Sequence, residues 1–133
     1  MVDRRIVEEW LKKADEDFDF ASSVIEKSSF YAQICFHYHQ SAEKYLKAFI
    51  VALELEFKKI HDLLELLNIC KKIEPSLSII QDNCTFLNRF YIDTRYPVYW
   101  PTNYTKEDTM KSQKAAQNIA ITIKNLLRKG DYV

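Results

Sequence analysis

Phe36-His37-Tyr38-His39-Gln40-Ser41-Ala42-Glu43-Lys44-Tyr45-Leu46-Lys47-Ala48-Phe49 sets an amide, an acid and two ammonium groups within a strongly apolar segment. It contains neither Gly nor Pro and has the spacing of a helix. At about 3.6 residues per turn, Gln40, Glu43, Lys44 and Lys47 share one stripe. Tyr38, Ala42, Tyr45, Leu46 and Phe49 fall largely on the other side, where they would pack into a core. The polar stripe therefore needs a reason to exist. One reason is ordinary solvation, with Glu43 and Lys47 as an i,i+4 pair contributing about 0.2–0.5 kcal/mol. The other is a binding site, and the spacing alone leaves both open.

Working outward, almost nothing interrupts helices. Gly occurs once, at Gly130, and Pro only at Pro75, Pro97 and Pro101. From Asp3 to about Glu26, Ile6, Trp10, Ala14, Phe18, Ala21 and Ile25 recur every three to four residues, which predicts a long amphipathic helix. Ser28-Ser29 breaks it, and a second helix is predicted from about Phe30 to Leu55. A short polar turn, Glu56 to Ile60, leads into a third helix carrying Leu63, Leu64, Leu66, Leu67 and Ile69. Asp62 stands where it can cap that helix, with His61 beside it. Pro75 marks the start of a fourth helix, Leu77 to about Tyr91. An aromatic loop with two prolines, Asp93 to Tyr104, follows. Thr105 and Asp108 then suit a capping box, opening a last helix to Lys129 that Gly130 closes at C′. The expected class is all-α: residues 1–133 as a single domain, an up-and-down antiparallel bundle of four main helices plus a shorter one.

Composition narrows the chemistry. In 133 residues, 19 basic and 19 acidic side chains cancel, so there is no global pull toward nucleic acid or an anionic membrane, and any phosphate site must be local. The N-terminus lacks the apolar run of a secretory signal, and the longest apolar run, Ala48 to Leu53, is far too short to span a bilayer. No membrane association is expected, and the expected location is the cytoplasm. Cys35, Cys70 and Cys84 read as buried free thiols. His37 and His39 project from different sides of a helix, and His39 with Glu43 would give only two ligands, so no metal and no cofactor is expected. Gly-rich phosphate loops, Ser-His-Asp sets and the paired-carboxylate signature of a nucleotidyltransferase are all absent from the sequence.

Four segments in order resemble the HEPN family of small helical domains, first described as nucleotide-binding. Gln40-Ser41-Ala42-Glu43-Lys44-Tyr45-Leu46-Lys47-Ala48, within Tyr31 to Phe49, is similar to its central-helix pattern Gln-x-Ala-Glu-Lys-x-Leu-Lys-Ala. Trp10-Leu11 with Ala14, Asp17-Phe18 and Ala21 resembles its opening helix. His61-Asp62-Leu63-Leu64-Glu65-Leu66-Leu67 resembles its His-Asp-Leu element, and Arg95-Tyr96-Pro97 its Arg-Tyr-Pro loop.

That resemblance implies two kinds of function. Many HEPN proteins are metal-independent ribonucleases with an Arg, four to six residues, then a His, two such motifs meeting at a homodimer cleft. Here Arg95 would require His at 100, 101 or 102, and those positions hold Trp100, Pro101 and Thr102. None of these exchanges a proton near neutrality. The resemblance thus points to the non-nucleolytic branch: a nucleotide-binding or partner-binding module acting with a small nucleotidyltransferase, in a toxin–antitoxin-type pair. The alternative is a ribonuclease toxin with a degenerate motif, in which Arg95 is the one catalytic residue. A homodimer is expected, with nucleotide or RNA as ligand. The candidate ligand-binding residues are Gln40, Glu43, Lys44, Lys47, His61, Arg95, Tyr96, Tyr99 and Trp100. Lys44, Lys47 and Arg95 are expected to converge on phosphate while Tyr96, Tyr99 or Trp100 stacks on a base. The bland reading of Arg95 is that it ties down a loop.

Overall fold

Asp3 opens the first helix, its carboxylate accepting the backbone N–H of Arg5 at 2.9 Å, and the chain then stays helical through Val24. In the computed structural model, which describes residues 1–95 and 103–133, the elements are α1 (Arg4–Val24), α2 (Tyr31–Ala52), α3 (Leu63–Ile73), a 3-10 turn (Pro75–Ile80), α4 (Gln81–Arg95) and α5 (Lys106–Lys129). No strand occurs among the described residues. The protein is all-α, four long helices and a shorter one.

Helix α2 is the axis of the bundle. It packs against α1, α5, α4 and α3, and its buried residues run round most of its circumference, from Ile34 to Ala52. The polar stripe is therefore not on the outside: Glu43 and Lys47 are buried with Tyr38, Tyr45 and Leu46. Helix α1 meets α2 through Val7, Ala14 and Ala21, small side chains seven residues apart that let the two backbones approach closely. Ile6, which the period placed on the inner face, is 48% exposed, and Val7 takes its place. Side-chain pairs give the directions. Ser22 meets Tyr38 while Asp17 meets Lys44 and Asp15 meets Tyr45, so α1 and α2 are antiparallel.

Helix α2 ends earlier than the sequence suggests, with Glu54 in the left-handed region at φ 54°. Leu55 N–H then bonds the Ile50 carbonyl at 2.9 Å, closing the helix and turning the chain back. Residues 53–62 are not a simple turn but a strap returning along α2: Phe57 lies beside Lys47, and His61 beside Glu43. Pro75 begins a 3-10 turn instead of the fourth helix itself, since its fixed φ suits that tighter start. Helix α4 starts at Gln81 and reaches Arg95, four residues past the expected end at Tyr91, because nothing in 92–95 breaks a helix. Thr105 and Asp108 form the capping box. Gly130 is not the left-handed residue; its φ is −85°, and Asp131 takes φ 61°. What Gly130 provides is room, because a Cβ there would lie 2.5 Å from the Tyr132 ring.

Candidate functional site

The stripe of α2 divides between two environments. Toward α3 and α4, Glu43 accepts from Lys47 Nζ at 2.9 Å through one carboxylate oxygen and from His61 Nδ1 at 2.8 Å through the other. The Glu43 and Lys47 side chains are only 5% and 7% exposed. An ionised carboxylate can only accept, so Nδ1 carries the His61 proton, and Nε2 is turned away from Glu43. Beneath them, His39 is buried and donates its Nε2–H to the His61 carbonyl at 3.1 Å. Burial holds the His39 pKa below the ordinary histidine value, with the nearby Glu43 charge working the other way. A neutral His39 that spends its proton on a carbonyl can only accept at Nδ1. Gln40, whose side-chain amide lies 3.2 Å from that nitrogen, must therefore present its NH2 there. Gln40, Glu43, Lys47 and His61 thus form one connected group, with His39 as its floor.

This group opens onto a concavity. His61 stacks on Tyr91 of α4 with ring centroids 4.4 Å apart and planes 17° from parallel. Beside the stack lies a cavity of about 450 Å³ lined by Lys59, Ile60, His61, Asp62, Glu65, Asn88 and Tyr91. Its rim is rigid for local reasons. Asp62 Oδ1 caps α3 by accepting from Leu64 N and Glu65 N, and Asn88 Nδ2 donates to the same oxygen at 3.1 Å. The Asn88 carbonyl oxygen in turn accepts the Leu63 N–H at 2.7 Å. Capping, expected of Asp62 from sequence, is what it does.

Lys44 goes elsewhere. It lies on the α1 side, bonded at 2.5 Å to Asp17, which also meets His37 at 3.3 Å. The expected convergence of Lys44 with Lys47 is not what the helix presents: three residues along α2, one lysine faces α1 and the other the strap, and each is matched by a carboxylate. Arg95 is the final residue of α4, one helical turn after Tyr91, not a loop residue. Tyr96, Tyr99 and Trp100, and with them the proposed stacking loop, lie outside the described residues, as does the segment where a ribonuclease histidine would stand. Tyr91, Asn88 and Lys59 line the cavity and are not among the candidates that the sequence offers; the one signal for Tyr91 is its spacing of one turn from Arg95, which shows only when the helix continues past Tyr91.

Other reactive groups are quiet. Burial raises the Cys35 thiol to about 11 and those of Cys70 and Cys84 to about 12, so none is a ready thiolate. Tyr45 is likewise pushed above its ordinary range, by burial first and by its hydrogen bond to Asp15 second. Among the described residues, no group of three His, Cys, Asp or Glu side chains is placed to hold a metal ion, and no helix is long and apolar enough to cross a membrane.

The buried Glu43–Lys47 pair on the central helix and the His61-Asp62 cap are the positions that carried the resemblance in the sequence. The HEPN domain pattern matches residues 7–126. The chain belongs to the HEPN family. Among solved structures, this HEPN protein is similar to the crystal structure of an archaeal HEPN homologue, with 28% identity and a TM-score of 0.75, covering 91% of this chain and 97% of that one. No curated protein matches it.

Proposed function

We propose that this HEPN protein is a nucleotide-binding or partner-binding module that acts with a small nucleotidyltransferase, in a toxin–antitoxin-type pair, as a homodimer in the cytoplasm. The observation that carries the binding half is the open cavity beside the His61–Tyr91 stack, held in place by the buried Glu43–Lys47 pair. A concavity of this size with a few convergent polar groups and an aromatic wall is what small-ligand sites share. The sequence supports a non-catalytic role, because Trp100, Pro101 and Thr102 offer no proton-transfer group after Arg95.

Calorimetric titration with mono- and triphosphate nucleotides tests the binding half. Saturable binding is expected, weakened in Arg95→Ala, since the sequence sets this cation directly before the aromatic segment. The partner half predicts a neighbouring gene for a small nucleotidyltransferase and co-purification of the two products. Equilibrium sedimentation yielding only the 15.8 kDa monomer at micromolar concentration would remove the homodimer.

A second reading has one observation in its favour. Glu43 holds the His61 imidazole so that Nε2 is turned away from it, the arrangement that a general base of a metal-independent ribonuclease with a degenerate motif needs. Cleavage of total RNA by the purified protein in a chelator, lost in both Arg95→Ala and His61→Ala, would put this reading first.

A further inference from the structure

Resting on the nucleotide-binding reading, we infer that the cavity between the strap, α3 and α4 is a guanine-nucleotide site, with the base stacked on His61, its Watson–Crick edge on Asp62 and Glu65, and its phosphate on Lys59. The cavity, about 450 Å³, is within the range of small-ligand pockets. One face of the His61 ring is taken by Tyr91, no second ring among the described residues lies on the other, and 44% of the side chain is exposed. A planar base would extend the existing stack, and Glu43 fixes the plane onto which it docks.

The wall facing that position selects among bases by charge. Both acidic linings have a spare oxygen. The hydrogen bonds to Asp62 all fall on Oδ1, and Glu65 receives Lys58 on Oε1 at 3.0 Å, so Oδ2 and Oε2 carry none among the described residues. Carboxylates accept and cannot donate. Guanine presents two adjacent N–H donors, N1–H and N2–H2, and so has one charge-assisted bond for each spare oxygen, N1–H to Asp62 and N2–H2 to Glu65. Adenine and cytosine each set an acceptor next to their amino group, and uracil flanks its one N–H with two carbonyls, so each brings an oxygen or nitrogen lone pair against the acid wall. Lys59 supplies the remaining element. It lines the same cavity, and no carboxylate lies within salt-bridge distance of it among the described residues, in contrast to Lys44, Lys47 and Lys58.

The test is calorimetric titration of the full chain with GMP, IMP, AMP and UMP, and with guanosine. IMP keeps N1–H and lacks the N2 amino group, so it isolates one bond. GMP is expected to bind about tenfold tighter than IMP, as one additional hydrogen bond to a charged acceptor predicts, and tighter still than AMP or UMP. Glu65→Gln, an exposed substitution outside the core, should remove most of the GMP-over-IMP preference. Lys59→Ala should weaken GMP severalfold and leave guanosine unchanged. Equal affinity for all four nucleotides, unaltered in Glu65→Gln and Lys59→Ala, overturns this assignment and leaves nucleotide binding elsewhere on the protein standing. Failure of any nucleotide to bind the wild type overturns both the assignment and the nucleotide half of the proposed function.

Discussion

Lys44 and Lys47 stand three residues apart on one helix, both beside carboxylates, yet they sit in regions of different physics. Lys44 lies in a clamp between α1 and α2 in which Asp17 serves it and His37, while Asp15 serves Tyr45 and Lys124; its side chain keeps 28% of its exposure. Lys47 keeps 7%, locked to an equally buried Glu43 that also holds His61. In the clamp, water can replace a lost partner. Around Glu43 and Lys47 it cannot, so those two groups are held by each other and by His61. A site that must present an imidazole and a stacked ring in one orientation gains from that rigidity, and the cavity lies on the network side.

Removing one partner from each region should produce the largest difference between them. Glu43→Gln leaves the Lys47 ammonium buried without its counter-charge and is expected to destabilise the protein by about 3–5 kcal/mol. Asp17→Asn, in the clamp, should cost about 1 kcal/mol or less, as screened pairs do. Urea unfolding of the two variants checks this. Equal losses would mean that the regions do not differ. The pair Glu43→Leu with Lys47→Met should recover most of the loss, because packed apolar side chains replace a buried ion pair well.

Next in size is an opposition in pH. On the network side, His39 has a folded pKa below its ordinary 6.5, so the unfolded chain takes up a proton first as pH falls. The stability it contributes is complete above about pH 6.5 and is lost as pH falls toward the folded pKa. On the clamp side Tyr45 has a folded pKa above its ordinary 10.0, so its contribution is complete below that pH and declines as pH rises further. The buried thiols, raised from 9.0, steepen the same alkaline decline. Unfolding free energies measured at pH 5, 7 and 10.5 should therefore show His39→Gln flattening only the acid limb and Tyr45→Phe only the alkaline limb. Tyr45→Phe should also cost about 1 kcal/mol at pH 7, one hydrogen bond in a setting where Asp15 keeps Lys124.

How much of this could be read from the sequence divides along the same line. Helix class, number and most boundaries follow from period, Gly scarcity and caps; Asp3, Asp62 and Thr105 each act as their side chains predict. Periodicity also reveals that Gln40, Glu43, Lys44 and Lys47 form a stripe, but it cannot say that a helix in the middle of a bundle has no outside. That depends on how many neighbours surround α2. The strap was equally hidden. Glu56 to Ile60 is polar and reads as a turn, and only its long-range contacts, Phe57 with Lys47 and His61 with Glu43, show that it returns along the helix beside the cavity.

A substitution at Glu54 acts on the strap alone and should change stability least. Glu54 begins the strap at φ 54°, a conformation that a residue with a Cβ enters at a cost and glycine enters freely. Its carboxylate is exposed, and its one ion pair among the described residues, with the amine of Met1, is 3.8 Å long, so little is lost by removing it. The Leu55 N–H bond to the Ile50 carbonyl is made by the backbone and survives the change. Glu54→Gly should therefore raise stability by about 0.5–1 kcal/mol, after the greater freedom of glycine in the unfolded chain is set against the relieved strain. If the network fixes the strap, His61 will hold the same orientation in the variant, and its imidazole resonances will match those of the wild type. If they shift, the strained turn itself positions His61, and the rigidity ascribed to Glu43 and Lys47 belongs instead to a single backbone angle.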